Sequence, residues 1–173
     1  MTITLVNPIA ARVVQVLTDF LPAELDLIDT AQADGITTPD IARFYQHETP
    51  VVVTFPSVRI RIAQSDPVEV FTTAMGNKAA LDHQIVVIAD ATLDTGDDDR
   101  LKLERLAMRY AAGIFTVLVI KHDGLDTTAD PVRWAQTTKP GGSISYGPEA
   151  VQQDGTKTRS ATVPLAVMRS ETG

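Results

Sequence analysis

Gln84-Ile-Val-Val-Ile-Ala-Asp90, the acidic turn Ala91 to Asp98, and the run Asp99-Arg-Leu-Lys-Leu-Glu-Arg-Leu-Ala-Met-Arg-Tyr110 decide the fold. The first is a β-branched apolar run of strand length. From Asp99 onward the period changes. Leu103, Leu106, Tyr110, Ile114, Val117 and Leu118 fall on one helical face, with Arg100, Lys102, Glu104, Arg105 and Arg109 on the other. Four aspartates between Asp94 and Asp99 precede this helix. They lie where the aligned peptide dipoles favour negative charge by about 0.3–1 kcal/mol each. A helix of about 20 residues, closed at His122 to Gly124, is long enough to lie across most of a sheet face.

Working outward, the residues before Asp82 read as an antiparallel meander. Val51-Val-Val-Thr-Phe55 is β-rich and is interrupted by Pro56. Val58, Ile60 and Ile62 alternate with Arg59, Arg61 and Ala63, the pattern of a half-buried strand. Ser65-Asp66-Pro67 reads as a turn, Val68 to Thr73 as a second strand, and Gly76-Asn77-Lys78 as a hairpin turn. A third strand follows from Ala80 to Ala89.

The chain opens with a helix. Asn7 is an N-cap and Pro8 suits the first helical position; Ile9, Val13, Val16, Leu17 and Phe20 share a face, and Leu21-Pro22 is expected to end it. Ala23 to Thr38 is acidic and irregular, part of an insertion over 23–49. Within it Thr38-Pro39-Asp40 repeats the cap-then-proline signature, pointing to a short helix that buries Ile41, Ala42 and Tyr45 before His47 to Pro50 breaks it. On the C-terminal side, 123–160 reads as a long polar loop with Trp134, a Pro140-Gly141-Gly142 break and a short strand at Ser143 to Tyr146. Asp154-Gly155 is a turn. Val163, Leu165 and Val167 alternate in a last strand, Ala161 to Met168, where Pro164 marks an edge or a bulge. The class is α+β: one domain over 1–173, an antiparallel β-sheet packed by an N-terminal helix and one long central helix.

Composition limits the functions. A chain of 173 residues, 44% hydrophobic and 21% charged, can bury a core of its own. A net charge of −7 without a lysine or arginine cluster disfavours a grip on nucleic acid. With no cysteine there is no disulfide, thiolate nucleophile or cysteine metal site. Met1 to Asn7 lacks the basic region of a signal peptide. No apolar run reaches the roughly 18 residues of a membrane span.

No catalytic, cofactor or metal site is expected. His47, His83 and His122 share no ligand spacing and read as surface or strand-end residues. The aspartates at 94–99 do not follow the calcium-loop series. Gly141-Gly-Ser-Ile-Ser-Tyr-Gly147 has neither the second glycine of a nucleophile elbow nor the terminal Gly-Lys of a phosphate loop. Glu104 is placed to pair with Arg100 or Arg109 along the helix. The residues with an open role are Arg59 and Arg61, either a solvated strand face or a partner's contact, and Trp134, which either folds back onto the core or anchors a partner.

The order of elements is helix, meander, long helix, long loop and alternating last strand. In it the chain resembles the tail terminator (tail completion, head-to-tail joining) proteins of long-tailed bacteriophages. Pro8 to Phe20, Pro56-Ser-Val-Arg-Ile-Arg61 with the hairpin to Asp82–Asp90, and Leu101 to Leu118 with the distant Ser145-Tyr146 and Ala161 to Val167 carry the likeness. The insertion at Ala23–Thr49 and the loop at Asp123–Ser160 depart from it. The resemblance implies a structural virion protein made in the host cytoplasm, not an enzyme. It implies a homo-oligomeric ring, typically a hexamer, that caps the finished tail tube, contacts tail tube protein on one side and the head-completion or connector protein on the other, and lets DNA pass through its lumen without specific binding. Another neck protein, a small α+β enzyme and a monomeric binding module are the alternatives.

Overall fold

The computed structural model describes residues 7–47, 52, 54–73, 76–94, 96–135 and 137–172, with backbone alone at 7, 66–80, 137 and 170–172. Residues 1–6, most of the stretch tested for a signal peptide, lie outside these. So do Val51 and Val53 of the expected first strand, while Val52, Thr54 and Phe55 are not in a strand. No described helix is long and apolar enough to cross a membrane.

Helix α1 spans Asn7–Gln32 and contains Pro22. The expectation that Leu21-Pro22 ends it is overturned. A proline inside a helix costs about 3 kcal/mol, but the apolar stripe does not stop there. Leu21 and Leu25 are buried, and Ile28 and Leu25 pack on Gly113 of the central helix. That burial, at about 1.5–3 kcal/mol per large apolar side chain, outweighs the local cost, so 23–32 is helical rather than irregular. The expected short helix at 38–45 is also absent. Residues 36–42 run extended along α1 and lead into strand β1, Arg43–Tyr45. The hydroxyl and amide of Thr38 donate to Asp29 of α1 at 2.6 Å each, so the threonine caps nothing downstream.

Strand β2, Ser57–Thr73, and strand β3, Gly76–Thr92, form one long antiparallel hairpin. The expected turn at Ser65-Asp66-Pro67 is instead two irregularities in a continuous strand, between Ile62 and Gln64 and between Pro67 and Glu69. A bulge absorbs a proline without ending the pairing. Helix α2, Arg100–Phe115, begins at an Asp99 cap whose carboxylate accepts from the Lys102 amide at 3.0 Å, and a π-helical turn, Thr116–Lys121, continues it.

The stretch expected to be a long loop contains two strands, β4 (Thr137–Pro140) and β5 (Ser145–Val151). Strand β6, Lys157–Thr172, follows the expected turn at Asp154-Gly155, where Gly155 takes a φ of 83°. The sheet order is β1-β2-β3-β6-β4, with β5 also on β6; β1 joins in parallel and every other pair is antiparallel.

Pro164 thus sits in an interior strand, neither edge nor bulge, paired in register with Val86. Its carbonyl accepts from Gly141 at 2.9 Å, and in a strand a residue's N and O point to the same side. Its missing N–H therefore faces the gap between β5, which pairs 157–162, and β4, which pairs 165–168. The Gly141-Gly142 link crosses that gap. A Cβ on Gly141 would lie 2.8 Å from the Leu165 backbone, which is why the connection needs glycine.

Both helices cover one sheet face. Val58 and Ile60 of β2, Ile85, Val87, Ala89 and Ala91 of β3, and Ala161, Val163, Leu165 and Val167 of β6 meet Leu17, Leu21, Leu103, Leu106, Tyr110 and Ile114 in one core. His83 belongs to this buried face at 1% exposure, bonded to the Ser65 hydroxyl at 2.8 Å, contrary to its reading as a surface or strand-end residue.

Candidate assembly surface

The opposite sheet face carries none of the described helices. Register and alternation place Arg59 and Arg61 of β2, Val86, Ile88 and Asp90 of β3, and Ser160, Thr162 and Pro164 of β6 together on it. The two arginines are therefore neighbours, as their spacing predicted, but they differ in role. Arg59 is largely spent inside the molecule: its Nε and Nη2 donate to the two Asp90 carboxylate oxygens, each at 3.0 Å. Ser57 Oγ donates to the same carboxylate at 3.2 Å and Ser160 Oγ at 2.6 Å. Asp90 is 4% exposed. A buried carboxylate is tolerated when its lone pairs are filled by donors, and a bidentate guanidinium is the strongest of these. The cluster ties β2, β3 and β6 together across the open face. Arg61, opposite Val86, is exposed on this face, as are Arg43, paired with Ser57, and Lys139, paired with Ala166.

Trp134 is not part of this surface. Its amide donates to the Gly124 carbonyl at 2.7 Å, turning the segment after the π-helical turn back on itself, and its half-buried ring packs on the core. The Arg169 guanidinium lies 3.8 Å from the ring centroid and that of Arg12 lies 5.9 Å from it. Arg12 also donates to the Leu125 carbonyl at 2.7 Å and pairs with Asp130. Of the two readings of Trp134, the structure takes the inward one.

The sequence reading missed a second charged cluster. Arg109, assigned to the polar side of α2, is 5% exposed. It donates to Asp29 at 2.7 Å, to Asp34 at 2.5 Å and to the Ile36 carbonyl at 2.7 Å, while Arg105 pairs with Asp34 at 3.2 Å. The bond from Arg109 holds the Asp34 carboxyl below the ordinary carboxylate range against the opposing effect of burial. For Arg109 itself burial acts to lower the pKa, but the two carboxylates raise it on balance. This clasp fastens 33–38 between the helices. Glu104 and Arg100 do not pair along α2; they reach Arg159 at 3.7 Å and Glu149 at 3.4 Å. Beside the clasp, Ile28, Leu101, Met108 and Ala112 line an open groove of about 610 Å³, with Leu101 and Met108 about half exposed.

Among the described residues no group of three or more histidine, aspartate or glutamate side chains is placed to hold a metal ion. His122 stacks on Phe20 at 3.7 Å and faces Asp126 at 3.2 Å. No protein-family model matches the chain, and no curated protein matches it.

Proposed function

We propose that this chain is a structural subunit of a phage tail, acting at the head-proximal end as a ring that stops tube polymerisation and joins the tail to the head connector. The reading starts from the order of elements and draws support from the length of β2, β3 and β6, at 17, 17 and 16 residues. A strand is commonly five to six residues long, and at about 3.3 Å per residue these reach beyond 50 Å. The hairpin and β6 stay paired out to Lys78 and Thr172, and a ribbon of that length is suited to reaching a neighbouring subunit.

A closed ring needs two unlike surfaces on each subunit, because its contacts are head-to-tail. The open sheet face with Arg61 and the groove beside Met108 lie on opposite sides of the sheet. A net charge of −7 per subunit, repeated around a lumen, lets DNA pass without sticking.

Light scattering and negative-stain microscopy of the purified protein, alone and with tube protein, test the reading. A ring-sized species is expected; a strict monomer that never binds tube protein refutes it. Arg61→Glu reverses an outward cation without touching the Asp90 cluster, so it should weaken assembly. Particles made without this protein should have overlong tails or tails unjoined to heads.

A further inference from the structure

The open sheet face is set apart by its charge. Its described side chains hold four cations, Arg43, Arg59, Arg61 and Lys139, against two carboxylates, Asp82 and Asp90. Arg59 and Asp90 neutralise each other, so the face keeps a positive excess in a chain whose net charge is −7. The sheet order puts Arg43 and Arg61 towards one margin, on β1 and β2, and Lys139 at the other, on β4. Between them lie Val86 and Ile88 of β3 and Pro164 of β6, all half-buried, with no described helix over them. An apolar strip inside a charged rim is the composition of a contact surface.

The far side of the molecule has the opposite character. From Val13 to Ala42 the chain contains no lysine, arginine or histidine and six carboxylates, Asp19, Glu24, Asp26, Asp29, Asp34 and Asp40. Glu24 is met by Lys121, and Asp29 and Asp34 by Arg109. Asp26 belongs instead to the solvent stripe of α1, with Pro22, Ala23, Leu27 and Thr30, all exposed. Leu27 is 58% exposed, a large apolar side chain beside a carboxylate. The buried stripe of α1 turns to the sheet, so this exposed stripe points away from it. The molecule thus carries a cationic, partly apolar face on one side and an anionic, partly apolar stripe on the other. Two open faces brought together would oppose like charges, and so would two α1 stripes. One face against one stripe opposes unlike charges and covers apolar surface on both.

We propose that the open sheet face of one copy of this chain docks on the solvent stripe of α1 in a second copy. Leu27 covers the apolar strip of Val86, Ile88 and Pro164, and Asp26 meets the cationic rim. The contact is heterologous, so each copy keeps one face and one stripe for further neighbours. It deepens the ring reading and rests on it for closure, since a head-to-tail contact forms a ring only when its rotation closes.

The test is a charge swap read by sedimentation velocity of the full chain over a range of concentrations. Asp26→Lys, and Arg43→Glu combined with Lys139→Glu, should each raise the dissociation constant for self-association by about tenfold or more. The chain carrying all three substitutions reverses both surfaces and should return to within about threefold of wild type, a rescue that misfolding does not produce. Leu27→Ser should weaken association with no change of charge. Raising salt from about 0.05 M to about 0.5 M should weaken the wild type. Association unchanged by either charge set, or not restored in the triple variant, overturns the proposal, and so does a chain that stays monomeric at every concentration. A ring that forms normally with Asp26→Lys overturns this contact and leaves the ring reading in place. Dimers or open chains that obey the charge swap uphold the contact and refute the ring.

Discussion

Replacing Arg109 by methionine keeps an unbranched apolar stem in α2 and removes the guanidinium that joins Asp29, Asp34 and the Ile36 carbonyl. Removing one partner of a fully buried ion pair costs about 3–5 kcal/mol. The carboxylates here are not sealed: the Asp29 and Asp34 side chains keep 16% and 22% of their exposure, and Asp29 retains both bonds from Thr38. Water can reach them once the arginine is gone, so the expected loss is about 2–3 kcal/mol. For a chain of this length each kcal/mol moves the melting temperature by about 2–4 °C, which gives a fall of about 4–12 °C at neutral pH. Arg109→Lys keeps the charge but not the fork and should fall between. Acid should narrow the gap. The folded Asp34 carboxyl lies below its unfolded value of about 3.9 because Arg109 bonds to it. Its contribution is therefore complete above about pH 4 and is lost as pH falls through the folded value. Thermal melts of wild type and Arg109→Met followed by circular dichroism from pH 7 to pH 3 measure both effects. A melting temperature within about 1 °C of wild type at pH 7, or a gap that widens in acid, refutes the clasp.

Three further outcomes follow from the geometry. Gly141→Ala sets a Cβ 2.8 Å from the Leu165 backbone, which cannot rotate away, and should cost about 1–3 kcal/mol in urea unfolding; Gly142→Ala meets only the Pro164 ring at 3.3 Å and should cost clearly less. Asp90→Ala strands the donors of Arg59, Ser57 and Ser160 on the open face and should lose about 3 kcal/mol, with Asp90→Asn losing less, read as urea midpoints at unchanged slope. Trp134→Leu removes the ring beneath Arg169 and should destabilise by about 1–3 kcal/mol while leaving the oligomeric state unchanged; lost assembly at full stability would return Trp134 to the role of a partner anchor.

What the sequence made legible was whatever depends on period. The alternation of Val58, Ile60 and Ile62, that of Val163, Leu165 and Val167, and the helical stripe from Leu103 to Leu118 all became the core at the expected faces. The class, α+β with two helices packed on one side of the sheet, follows from these; the parallel addition of β1, which makes the sheet mixed, does not. The pairing of charges was not legible, because it depends on which chain segments come together. Arg59 meets Asp90 across 31 residues and Arg109 meets Asp29 across 80. The one available signal was the acidic density of 26–34 facing two arginines one helical turn apart, at 105 and 109.

The prolines show why the remaining errors took the form they did. Pro22, Pro67 and Pro164 each read as the end or edge of an element, and each lies inside one. The local rule is sound: a proline withholds one donor and so breaks a ladder wherever that donor was required. Whether it was required is settled by the neighbours. At Pro67 the β2–β3 register slips beside the proline, so the ladder adjusts around it. At Pro164 the missing donor falls in the gap between β5 and β4, where the chain crosses on two glycines. At Pro22 the helix continues through the proline, and the burial of Leu21 and Leu25 beside it offsets the donor that the proline withholds. All three prolines lie inside elements because register and packing, which the local sequence does not display, decide whether the withheld donor matters.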